Sequence, residues 1–267
     1  MKINFSIENG QILIPVRINN TEKIYNFHFD IGAKKTTIFP EVIEELGISL
    51  QGCKTHKALT AGGEIEIPLV ALDSLSVGLE TINNLEVIVA NMKKGNACMK
   101  AFGALGHDFL QNYKIHLNIS KEALTLTKTN EESSKALSFF EYFNNTHLVS
   151  IEAKINDKES YWFILDTGAT GNILNSTLAN ELNLLTKETE AIALSPSGPI
   201  HIRETILSKF EVESKTVSNM LFHVMNLDHL NRNGPRKIGG IIGYPFLKDI
   251  ELIIDYPNQQ FGLIAID

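Results

Sequence analysis

The chain has 267 residues, a formal net charge of −7, 43% hydrophobic and 21% charged residues, and two cysteines. The acidic balance and the lack of a basic run argue against a nucleic-acid partner, and no stretch is long and apolar enough to span a membrane. Two cysteines make neither a disulfide framework nor, without histidines at the right spacing, a zinc site, so Cys53 and Cys98 are expected to be free thiols.

Met1 to Ser6 lacks the apolar core of a signal peptide, so export is expected only if a leader was trimmed, and the compartment stays open. Gln11 to Ile18 and Ile24 to Phe29 are β-branched or alternating and are bounded by Asn and Asp, which predicts two strands. The second strand runs into Asp30-Ile31-Gly32-Ala33. Pro40 to Gly47 reads as a short helix, with proline near its start, acids early and glycine at its end. Ile65 to Ala71, Leu75 to Leu79 and Leu85 to Ala90 are predicted strands. Thr60-Ala61-Gly62-Gly63-Glu64 reads as a hairpin tip before them. Ala104-Leu105-Gly106 leads into a helical turn at Asp108 to Asn112 and then an extended stretch, Lys114 to Thr127. The polar run from Thr129 to Lys135 is the natural linker. It divides the chain into an N-terminal lobe (1–128), a linker (129–137) and a C-terminal lobe (138–267).

Past the linker the pattern returns. Asp30-Ile31-Gly32-Ala33 comes back as Asp166-Thr167-Gly168-Ala169, 136 residues later, again at the end of an apolar strand. Val16-Arg17-Ile18-Asn19-Asn20 is matched by Ala153-Lys154-Ile155-Asn156-Asp157, and Glu45-Leu46-Gly47-Ile48 by Glu181-Leu182-Asn183-Leu184. Ser176 to Leu184 is the second short helix, with Asn175 or Ser176 as its cap. Ser195-Pro196-Ser197-Gly198-Pro199 stands where the first hairpin tip stood. Ile241-Ile242-Gly243 precedes a helical turn at Pro245 to Asp249 and the extended run Glu251 to Ile264. Order and spacing kept at several stations indicate an internal duplication, two lobes related by a pseudo-twofold axis.

A strand that stops at an acid places a costly charge near the middle of a fold. Doing so in both halves suggests two carboxylates brought together. Two such acids cannot easily ionise at once, so one proton is shared and the titration belongs to the pair. The ionised member activates a water and the protonated member donates to a substrate carbonyl. Asp30 and Asp166 are the candidate catalytic residues. Glycoside hydrolysis also uses paired carboxylates, but it has no need of twin Asp-x-Gly loops.

Asp166-Thr167-Gly168-Ala169, the variant Asp30-Ile31-Gly32-Ala33, and the later Leu105-Gly106 and Ile242-Gly243 together resemble the aspartic peptidases of the retropepsin and pepsin clan. Gly106-His107-Asp108-Phe109-Leu110 and Gly243-Tyr244-Pro245-Phe246-Leu247 are similar to retropepsin strings in particular. The resemblance covers nearly the whole chain. It implies a mainly β, bilobal acid-protease (double-psi β-barrel) fold with a few short helices. It implies an aspartic endopeptidase acting on an extended peptide or protein substrate as a monomer, with no metal or other cofactor. A catalytically weak or inactive peptide-binding module on the same fold is the alternative.

Supporting roles follow from the same resemblance. Gly32 and Gly168 let the backbone turn tightly and bring N–H groups to the carboxylates. The Thr167 hydroxyl should bond across the axis to the opposite loop. Ile31 in the matching place has no hydroxyl, so half of that brace should be missing. Ala33 and Ala169 replace the hydroxyl residues of pepsins, which predicts a milder pH optimum. Ala61, Gly62 and Gly63 in one lobe, and Ser197 and Gly198 in the other, are the expected flap residues that hold substrate by its backbone. His28, His107, His116, His223 and His229 are given no role.

Overall fold

The computed structural model describes residues 2–60, 63–90, 100–128, 137–195 and 198–266. Its plan is one sheet built twice. The first eight-stranded sheet runs, in spatial order, Ser6–Glu8, Gln11–Ile18, Ile24–Phe29, Gly103–Leu105, Thr37–Ile38, Glu80–Val89, Gly63–Val77 and Lys54–Thr60. The second repeats that order strand for strand with Glu141–Tyr142, Val149–Ile155, Ser160–Leu165, Ile238–Ile242, Ile173–Asn175, Lys215–Met225, Gly198–Val212 and Lys187–Ser195. Each sheet curls onto itself through one more pairing, Ile18 against Leu75 in the first and Ile155 against Phe210 in the second. The result is two barrel-like lobes.

The repeated asparagines explain where the chain turns. Asn19 and Asn20, at φ of 50° and 54°, and Asn156 and Asp157, at 50° and 59°, occupy the left-handed region at the centres of two hairpin turns. These residue types tolerate that region, and such turns match the twist of paired strands. The two short helices are Pro40–Glu45 and Ser176–Glu181. Proline at the first position starts one, and Asn175 caps the other by accepting the Thr177 N–H at 3.3 Å.

A third, six-stranded sheet joins the halves: Lys2–Ile3, Ala123–Thr127, Lys114–Asn118, Ile250–Asp255, Gln260–Ala265 and Ser138–Phe139. The two extended stretches expected from the sequence are therefore hairpins. Their inner strands pair across the pseudo-axis, Ile115 opposite Ile254 and Leu117 opposite Leu252. Ile115, Leu117, Leu252 and Ile254 are buried, so one apolar core runs through both lobes.

Two expectations need correcting. Ile65 to Ala71 and Leu75 to Val77 belong to one strand, Gly63–Val77, and Gly78-Leu79 is the turn that follows it. Asp73-Ser74 marks a change of partner, where Asn19 exchanges bonds with the Ser74 backbone, and no turn forms. The two late helical turns begin one residue earlier than expected, at His107 and Tyr244, directly after their glycines. The proposed linker lies almost wholly outside the described residues, as does Cys98; Cys53 is a free thiol. No helix among the described residues is long and apolar enough to cross a membrane.

Candidate active site

Each acid sits where a buried strand runs out. Phe27 and Phe29 are fully buried and commit Ile24–Phe29 to the core; Phe163 and Leu165 do the same for Ser160–Leu165. Each strand is parallel to the short strand that ends in the late glycine. The Asp30 N–H donates to the Leu105 carbonyl at 3.1 Å, and the Asp166 N–H to the Ile242 carbonyl at 3.0 Å. The late glycine strand thus fixes the height at which each carboxyl leaves the sheet.

The two loops then meet. A methyl group at Gly32 would stand 2.5 Å from Asp166 Oδ1, and one at Gly168 would stand 2.6 Å from Asp30 Oδ1. Each glycine of one motif is pressed against the carboxyl of the other. Neither glycine is at positive φ. The requirement is room for the opposite acid, which is stricter than the tight turn expected from the sequence.

The hydrogen bonds around the pair are unequal. Asp30 Oδ1 accepts from the Gly32 N–H and the Ala33 N–H, both at 2.9 Å. Asp166 Oδ1 accepts from the Gly168 N–H at 2.7 Å. The Ala33 and Ala169 N–H groups each also approach the backbone carbonyl of their own aspartate at 3.3 Å. The two side chains act on one another electrostatically. Both are half-buried. Burial raises the Asp30 carboxyl above its ordinary range, against the pull of the Ala33 N–H, Asp166 and the Gly32 N–H. Burial, then the charge of Asp30, raises Asp166 to about 7. The pair is therefore arranged to hold one proton between its two members.

Thr167 braces one side. Its hydroxyl donates to the Phe29 carbonyl at 2.7 Å and accepts from the Ile31 N–H at 3.1 Å. Ile31 is fully buried and apolar, so it returns no side-chain bond. Lobe one has its own lock further back. Thr36 bonds through its N–H and hydroxyl to Asp108 Oδ1, at 2.8 and 2.6 Å, and its oxygen accepts from the Gly106 N–H at 3.1 Å. In lobe two Asn172 stands at the matching place and its Oδ1 accepts the Gly243 N–H at 3.0 Å.

Of the expected flap residues, Ala61, Gly62 and Ser197 lie outside the described residues. Gly63 and Gly198 open strands that pair back on Thr60 and Ser195. Among the described residues no group of three or more His, Cys, Asp or Glu could hold a metal ion.

Sequence reasoning missed His147. It comes from lobe two and its Nε2 lies 2.8 Å from the Gly32 carbonyl oxygen in lobe one. Its ring meets the His107 ring edge-on at a centroid distance of 5.7 Å. His107 lies 3.3 Å from the Tyr142 hydroxyl and packs on Tyr256. Burial lowers His107 to about 4 and holds His147 below its ordinary value, so both rings are neutral near pH 7. No motif marks His147, and only its reach across 115 residues gives it a place here.

The fold is that of known enzymes. The aspartic proteinase from Irpex lacteus has a similar structure, with a TM-score of 0.61 and 11% identity over 100% of this chain and 97% of that one. No curated protein sequence matches. A family profile described as aspartyl protease matches residues 14–109 and again residues 151–246, once in each half of the duplication. With both repeats matched, the chain belongs to the aspartyl protease family.

Proposed function

We propose that this protein is an aspartic endopeptidase in which Asp30 and Asp166 activate a water between them. The crossed packing of Gly32 on Asp166 and Gly168 on Asp30 carries the reading, because it holds two carboxyls together at the ends of two parallel-paired strands. Asp30, with two backbone N–H donors, is the base that takes a proton from the water. Asp166, kept protonated by burial and by its neighbour's charge, donates to the carbonyl oxygen of the scissile amide. A tetrahedral intermediate forms, and return of the proton to the nitrogen releases the amine.

The hairpins that turn after Thr60 and Ser195 act as lids. They receive an extended peptide as an added strand, with Ala61, Gly62, Gly63, Ser197 and Gly198 at or beside the tips. Both acids come from one chain, so a monomer is sufficient.

Incubation with a denatured protein mixture, followed by mapping of new termini, tests the proposal. Cleavage should be blocked by a statine-type inhibitor and abolished by Asp30→Asn or Asp166→Asn. The one-sided Thr167 brace is the observation that favours a non-catalytic peptide-binding module. Peptide capture without new termini would establish that reading instead.

A further inference from the structure

We infer that His147 is a positioning residue for the dyad, acting on Asp30 through a single peptide group. The inference rests on the aspartic-peptidase reading of the pair. The Gly32 carbonyl and the Ala33 N–H belong to the same peptide unit. Its oxygen lies 2.8 Å from His147 Nε2, and its N–H donates to Asp30 Oδ1 at 2.9 Å. A carbonyl only accepts, so Nε2 carries the proton and donates. A hydrogen bond at the oxygen of an amide polarises it and strengthens the bond given by its N–H. The imidazole of lobe two thereby stabilises a negative charge on Asp30.

Among the described residues lobe two shows no such relay. The Ala33 and Ala169 N–H groups both approach the main-chain carbonyl of their own aspartate at 3.3 Å, but the Ala33 N–H also reaches a carboxylate oxygen, and Gly10 stands against Tyr244 where His147 meets His107. His147 is faced by His107, Lys34 and Asp108, and Asp30 by Asp166, with Tyr256 within electrostatic reach of both acids. His28 packs by the Thr167 backbone and acts on Asp166. Of these groups Asp30 bonds to the Ala33 N–H and Asp166 lies against Gly32, and both are unchanged in the His147 variants, so a change at His147 reports on the relay.

The test compares wild type, His147→Leu and His147→Gln. Asp carboxyl carbons labelled with 13C give the dyad's titration by NMR, with Asp30→Asn assigning the signal. This readout needs no turnover. His147→Leu should raise the lower apparent pKa of the pair by about half a pH unit. His147→Gln, which keeps an N–H donor, should return most of that shift. In an active enzyme the acid limb of kcat/KM moves with the titration, and kcat falls more than KM changes. An unmoved titration in His147→Leu, or equal shifts in Leu and Gln, would overturn the inference. So would a lower KM with an unchanged titration, which would mean that His147 competes with substrate for the Gly32 carbonyl. If wild type cleaves nothing while the titration shifts as stated, the function fails and the relay stands.

Discussion

Thr167→Val removes the one hydroxyl that ties the two catalytic loops together and leaves their shape almost unchanged. Two backbone groups of lobe one lose their partner, the Phe29 carbonyl and the Ile31 N–H, bonded now at 2.7 and 3.1 Å. Both lie beside fully buried side chains, where water cannot replace the hydroxyl. An orphaned buried polar group costs about 1–3 kcal/mol, so the pair costs about 2–6 kcal/mol. For a chain of this size that is a fall of roughly 4–24 °C in Tm. Urea unfolding by fluorescence of Trp162, with kcat measured on a reporter peptide, follows both consequences. The companion variant Ile31→Thr places a hydroxyl where the pseudo-twofold directs it to the opposite loop. A new bond should contribute about 0.5–1.5 kcal/mol, set against loss of a fully buried isoleucine, so its net effect should stay within about 1 kcal/mol. A Thr167→Val protein that unfolds within about 0.5 kcal/mol of wild type would refute the claim that this hydroxyl braces the site.

Gly32→Ala should fold, as judged by circular dichroism, yet lose about 100-fold or more in kcat, because its methyl displaces Asp166 Oδ1. Phe210→Ala should cost about 3–5 kcal/mol in urea, since Phe210 packs on Phe163, Phe222 and Phe246 with centroids 5.0–5.7 Å apart. Stability should fall on acidification from about pH 6.5 to 4. His28, His107 and His147 are all lowered by burial, so the unfolded chain binds more protons than the folded one in that window. Asp30, Asp108 and Asp166 have the opposite sign, since their raised pKa values make the folded state the better proton binder, and they soften the fall. Differential scanning calorimetry across that range, with His107→Phe flattening the acid limb, checks the balance.

The local grammar of the site was legible. An apolar strand ending in Asp-x-Gly-Ala is a short-range pattern, and seeing it in both halves predicted the meeting of Asp30 and Asp166 that the crossed glycine contacts display. The strands Gln11–Ile18 and Ile24–Phe29 fell where their alternation put them, because tertiary packing and local pattern agree there. Asp73-Ser74 misled, since polar residues inside a strand look like a turn unless the bonds from Asn19 are known. The Gly32–His147 contact had no local trace. It joins residues of different lobes, and the duplication offers no echo of it, because Gly10 occupies the corresponding place.

Duplication and fusion have a consequence for the proton itself. In a symmetric homodimer the two carboxyls are equivalent, and the shared proton has no reason to prefer either. Here three differences between the loops point the same way, against the smaller opposite pull of His28 on Asp166. Asp30 has two backbone N–H donors where Asp166 has one. The Gly32–Ala33 peptide is bonded at its oxygen by His147, and among the described residues lobe two has no equivalent. The Thr167 hydroxyl steadies the Ile31 N–H and the Phe29 carbonyl on either side of Asp30, while the apolar Ile31 leaves Asp166 without that support. Each difference is small beside the cost of a buried charge, but they act on one equilibrium and add in direction. A single chain can therefore fix base and acid before substrate arrives, and a tenfold preference needs only about 1.4 kcal/mol between the two placements of the proton.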